Sequence, residues 1–156
     1  MRADSFGRME SSADIEIIDE RGVAVVVDVR SQTGTTLDWA AQSRRSLAAR
    51  SALPDAKFFL LALPDRFYFW VGKTNREDAV PPDFAASAEL PLAPYLEGMG
   101  AEIRDLPYGS LDLFVSGWLT ELACDPEGAR LSEDAIVWAK QSGFRDAVRR
   151  GRLKLH

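Results

Sequence analysis

Histidine and cysteine are almost missing from this chain: His156 is the only histidine and Cys124 the only cysteine among 156 residues. A single cysteine excludes an internal disulfide and a cysteine-based zinc site. A single histidine, at the last position, removes the base that serine and cysteine triads need, the paired imidazoles of the H-E-x-x-H zinc motif, and histidine-based nuclease chemistry. No apolar run approaches the roughly 20 residues of a membrane span, and Met1-Arg2-Ala3-Asp4-Ser5-Phe6-Gly7 opens no segment of signal-peptide length. The expected setting is cytoplasmic, without a membrane partner. Positive charge is also scarce, 19 basic against 24 acidic residues for a net charge of −5. The chain therefore lacks the broad field that drives non-specific nucleic-acid binding. The cations it has are gathered, at Arg44, Arg45 and Arg50 and again at Arg145, Arg149, Arg150, Arg152 and Lys154. Solvated helix faces and a basic tail are the plainer reading of these clusters, and a local basic surface is the sharper one.

What is present is an ordinary globular composition, 46% hydrophobic and 28% charged, in a length that suits one domain around one core. Residues 1–12 carry little pattern and read as a flexible lead-in. Residues 13–72 read as an α/β core, and 73–156 as a connecting loop and helical extension packed on it. Within the core, Ala13–Asp19 and Val23–Arg30 read as two strands joined at Glu20-Arg21-Gly22. Thr35 with Asp38 suggests a capping box for a helix over about 36–51, ended by Leu53-Pro54-Asp55. Phe58–Leu63 is a continuous apolar run, as expected of a strand covered on both faces. Phe67–Val71 is an aromatic-rich strand. After a polar, proline-containing connection to about Pro91, helices are expected near 92–99, over 111–123 behind Ser110, and from Ser132 through Val148, the last weakened by Gly143. Asp125-Pro126-Glu127-Gly128 separates the last two. Trp118 and Trp138 lie within apolar stripes and read as core rather than as a partner surface.

The two leading strands carry the chemistry. A three-residue loop closing on Gly22 pairs residue 19 with 23, and so on down to Asp14 opposite Asp28. Ile15, Ile17, Val23, Val25, Val27 and Val29 then share one apolar face. Asp14, Glu16, Ile18, Ala24, Val26, Asp28 and Arg30 share the other. A two-residue loop would slip the pairing and mix the apolar set, so the three-residue loop is expected. Facing carboxylates repel unless something positive sits between them. A hard cation such as Mg²⁺ or Mn²⁺ would answer. So would Arg30, two residues beyond Asp28 on the same face, as a purely structural ion pair.

The stretch from Ala13 to Trp70 resembles the PD-(D/E)xK nuclease superfamily, with its restriction-endonuclease-like fold. Asp14 stands at the first aspartate, Asp28-Val29-Arg30 at the acid-x-lysine element, and Gln42 in Trp39-Ala40-Ala41-Gln42-Ser43-Arg44-Arg45 at a glutamine of the following helix. Three features depart from the pattern: arginine for lysine, aspartate for glutamate, and little chain ahead of Asp14, where Glu10 alone could supply the further acid that some members carry. The resemblance implies a mixed-sheet core of hairpin, helix and two further strands. It also implies metal-dependent phosphodiester hydrolysis of DNA or RNA, weakened or lost here. Asp14, Asp28 and the Val29 carbonyl would hold Mg²⁺ or Mn²⁺. Asp14, Asp28, Arg30 and Gln42 would form the catalytic set, with Arg44 and Arg45 on the phosphates. The alternative is a catalytically inactive nuclease-fold module that binds nucleic acid, a protein partner or a second copy.

Overall fold

The computed structural model describes residues 14–50, 56–72, 79–99, 110–124 and 133–156. The expected lead-in with Glu10, the Leu53-Pro54-Asp55 stop, the Asp125–Gly128 break and Ser132 lie outside the described residues. Among the described residues, six strands form one mixed open sheet and five helices lie on its two faces. The elements are β1 (Ile15–Asp19), β2 (Gly22–Val29), α1 (Leu37–Arg50), β3 (Phe58–Ala62), β4 (Arg66–Val71), β5 (Phe84–Ser87), α2 (Glu89–Met99), α3 (Ser110–Cys124), α4 (Glu133–Ser142), α5 (Phe144–Arg150) and β6 (Arg152–Leu155). The strand order is β5-β4-β3-β2-β1-β6. β2 and β3, linked through α1, pair in parallel, and every other neighbouring pair is antiparallel. No helix among the described residues is long and apolar enough to cross a membrane.

Strand alternation divides the core between two layers. Val26, Phe59, Leu61, Leu63, Tyr68 and Trp70 meet Ala40 and Leu47 of α1 on one face. Ile15, Ile17, Val25, Val27, Phe58, Leu60, Phe67 and Phe69 meet α2–α5 on the other. The apolar run of β3 is buried throughout, as its composition predicted. Large side chains buried to this degree each contribute roughly 1.5–3 kcal/mol. Trp118 is fully buried, and Trp138 packs against Phe69, Phe84 and Phe144.

The hairpin turn differs from the expected one, yet the acids still meet. Asp19 pairs with Gly22 across a two-residue loop, Glu20-Arg21, and the Arg21 amide donates to Asp19 Oδ1 at 2.8 Å. The slip this introduces is absorbed by a β-bulge: Ile18 pairs with Val23 and Ile17 with Val25, leaving Ala24 as the extra residue. Beyond the bulge Glu16 pairs with Val26 and Ile15 with Val27, the register that brings Asp14 level with Asp28. Above the bulge the faces are exchanged relative to expectation. Val23 packs with the α1 layer and Ala24 with the opposite one.

The helix cap also moves by one residue. Thr36, not Thr35, receives the Trp39 amide on its hydroxyl at 3.1 Å, while the Thr35 hydroxyl lies 2.8 Å from the Tyr68 hydroxyl. The last expected helix is two helices, divided at Gly143, whose φ of 88° lies in the left-handed region. The larger correction concerns 73–156, which is no purely helical extension. It adds β5 beside β4 and β6 beside β1, so both edges of the sheet come from beyond residue 72.

Candidate functional site

The site lies where β1 begins and β2 ends. The Asp14 amide donates to the Val27 carbonyl at 3.0 Å, and the Asp14 carbonyl accepts from the His156 amide at 2.9 Å. Asp14 is therefore fixed on both sides of its strand. Its Oδ2 accepts the Val29 amide at 2.7 Å. Asp28 is buried, and its Oδ2 accepts Arg30 Nε at 2.9 Å. Arg30 itself continues the β2–β3 ladder, its amide donating to the Ala62 carbonyl at 3.0 Å. Residues 28 and 30 share a face because strand side chains alternate, so the guanidinium reaches back over the carboxyl.

Asp14 lies close enough to act on Asp28 both by its charge and by side-chain hydrogen bonding, and each favours a proton on Asp28. Burial pushes the Asp28 carboxyl up from 3.8 to about 7. Arg30 pulls against that rise, and the negative charge of Asp14 adds to it. A further acid enters from α3. Asp112, in the first turn of that helix, is raised above the ordinary carboxylate range by burial and then by the charge of Asp14. Sequence reasoning missed Asp112 because an acid in a first helical turn already suits the helix dipole. No local signal could tie it to a residue so distant in sequence.

The remaining expected site residues stand on α1 rather than on the strands that carry the acids. Gln42 and Arg45 are exposed on α1. Arg44 is 2% exposed, its guanidinium 5.6 Å from the Trp70 ring centre and 6.0 Å from that of Phe59. That placement makes it a packing residue of the α1 layer rather than a surface cation for phosphate.

No family model matches the chain, and neither a curated protein nor a solved structure shows significant similarity to it. The chemistry therefore rests on the donors themselves. No group of three or more His, Cys, Asp or Glu side chains among the described residues is arranged to hold a metal ion. What is arranged is a pair of carboxyls with the Val29 carbonyl between Asp28 and Arg30 in sequence. Such an oxygen-only set fits a hard divalent cation that keeps several of its waters, and it fits thiophilic metals poorly.

Proposed function

We propose that the Asp14–Asp28 pair is the centre of a divalent-cation-dependent phosphodiester hydrolase of restriction-endonuclease-like type, held back near neutral pH by the proton on the buried Asp28 carboxyl. The observation that carries this reading is the buried Asp28 carboxyl with the half-buried Asp14 beside it. Two acids in contact, one of them raised to about 7, are costly to folding and common where a cation or a reaction repays the cost. Mg²⁺ or Mn²⁺, bound through Asp14, Asp28 and the Val29 carbonyl, would supply a water of lowered pKa and polarise a phosphoryl oxygen. Loss of that proton frees the Asp28 carboxylate to ligate. Asp14 keeps its orientation because the Val29 amide holds Oδ2. Arg30 offers fixed positive charge to the phosphate, and unlike lysine it does not give up a proton. Asp112 adds negative potential behind Asp14, which favours a cation over an anion at this end of the sheet.

The test is a thermal melt with Mn²⁺ at pH values below and above 7. The melting temperature should rise with Mn²⁺ above pH 7, little below it, and in neither case in Asp14→Ala or Asp28→Ala. An absence of any Mn²⁺ shift at alkaline pH removes the proposal. Cleavage of single-stranded and plasmid DNA under the same conditions then reads the activity directly.

One observation favours the second reading, an inactive nuclease-fold binding module. The 2.9 Å Arg30–Asp28 ion pair already neutralises the acid that a cation would need. Under that reading Mn²⁺ leaves the melt unchanged at every pH while nucleic acid still binds.

A further inference from the structure

Five of the chain's 19 basic residues, Arg145, Arg149, Arg150, Arg152 and Lys154, fall in its last turns, with Asp146 the one acid among them. Arg149 and Arg150 close α5. Arg152 and Lys154 stand on β6, the outermost strand of the sheet. All four are exposed, and none is engaged in an ion pair among the described residues. The pairing fixes where they lead. Arg152 lies opposite Ile18 and Lys154 opposite Glu16, so both share the sheet face of Glu16, Val26 and, two residues on, Asp28. The α1 layer covers β2, β3 and β4 on that face, and its apolar cluster takes no residue from β1 or β6. The strand then runs to His156, whose amide bonds the Asp14 carbonyl.

We propose that this edge is a phosphate-tracking surface, along which a single-stranded nucleic acid enters past Arg149 and Arg150, at the end of the α5 layer on the other face of the sheet, and lies with its backbone on Arg152 and Lys154 and its scissile region toward Asp14 and Asp28. The proposal rests on the phosphodiester reading and supplies what that reading lacked once Arg44 proved buried, exposed cations on the edge strand that runs to Asp14. A chain of net charge −5 repels a polyanion elsewhere, so a local positive strip decides the orientation of approach. Arg152 and Lys154, two residues apart on an extended strand, are spaced by roughly 6.6–6.8 Å, and flexible single-stranded backbone can follow that spacing. Cations on an edge strand also discourage edge-to-edge pairing between copies, but that role asks nothing of Arg149 and Arg150 on the helix.

The test is fluorescence anisotropy of a short labelled single-stranded oligonucleotide with the full chain in EDTA, where no cleavage occurs. Wild type should bind with a steep salt dependence. Arg152→Ala with Lys154→Ala should weaken binding about tenfold or more and lower the slope of log K against log[salt] by about 1.4. Arg149→Ala with Arg150→Ala, on the helix and clear of the strand pairing, should do the same, and Lys140→Ala on α4 should not. Asp14→Asn should keep oligonucleotide binding while losing any Mn²⁺ response, so failure of the metal site and failure of this surface are told apart. Absence of binding, wild-type binding by either double variant, or patch-dependent binding to phosphatidylserine vesicles without binding to the oligonucleotide each overturns the proposal.

Discussion

Arg30 Nε donates to Asp28 Oδ2 at 2.9 Å, from two positions further along the same strand. The guanidinium opposes the burial that lifts the Asp28 carboxyl, and it is held there by its own strand, since its amide bonds the Ala62 carbonyl. One side chain therefore both favours ionisation of the acid and competes with a cation for it.

Substitution at residue 30 separates these effects. Arg30→Lys replaces a fork with a point charge that spans the gap less well. Tighter Mn²⁺ binding is expected, by about tenfold in a calorimetric titration at alkaline pH, together with a gain in DNA cleavage. Arg30→Ala leaves Asp28 with burial and Asp14 alone. The onset of Mn²⁺ binding should then move to higher pH.

The acid pair also sets the pH dependence of stability. Asp28 sits at about 7 in the folded chain against an ordinary value of 3.8, so the folded state holds a proton that the unfolded state has released across that window. Stability therefore falls as pH rises from about 4 to about 7 and levels off above it. Asp28→Asn keeps a carbonyl acceptor for Arg30 and removes the titration. Urea unfolding should show it near wild type at about pH 4 and more stable by a few kcal/mol at about pH 8.

Gly151 permits β6 to dock. A Cβ at this position would overlap Ile17 Cγ2 and meet the Ile18 carbonyl oxygen at 3.0 Å, and the second of these is backbone that cannot yield cheaply. Gly151→Ala should cost about 1–3 kcal/mol. Hydrogen exchange should show lost protection at Ile15–Ile18 and 152–155, with β3 and β4 unaffected.

The end of β6 is fastened by His156 Nε2, 3.0 Å from Glu16 Oε1, both side chains largely buried. His156→Ala should cost about 1.5–3 kcal/mol, the worth of a hydrogen bond to a charged group. The Asp14 amide should exchange faster as the strand beside it loosens, which exchange mass spectrometry would read.

The legible part of this molecule was the part with strong local pattern. Alternation in Ile15–Asp19 and Val23–Val29 and the apolar run Phe58–Leu63 announced strands because their partners bury them on at least one face. The hairpin register at Asp14 and Asp28 was legible too, although its cause was not. A bulge at Ala24 leaves no mark in composition, and it compensates for a loop one residue shorter than expected. β5 is Phe-Ala-Ala-Ser and β6 Arg-Leu-Lys-Leu, short edge strands whose exposure weakens the pattern and whose pairing is long-range. Arg44 reads as a solvated helix cation because the rings it packs over, Phe59 and Trp70, come from strands distant in sequence. Asp112 joins the acids solely through the packing of α3.

The β1–β6 pairing also fixes a chronology. The hairpin that carries both acids is synthesised well before the strand that closes its outer edge. Contacts this distant in sequence come with a large loop-closure cost and form slowly. A nascent chain can thus fold β1–β4 around α1 while Asp14 still lacks its partner from His156, leaving an open strand edge that is exposed to intermolecular pairing. Completion of the acid centre then waits for β6 to be made and to return to β1, rather than following from the folding of the segment that contains the acids.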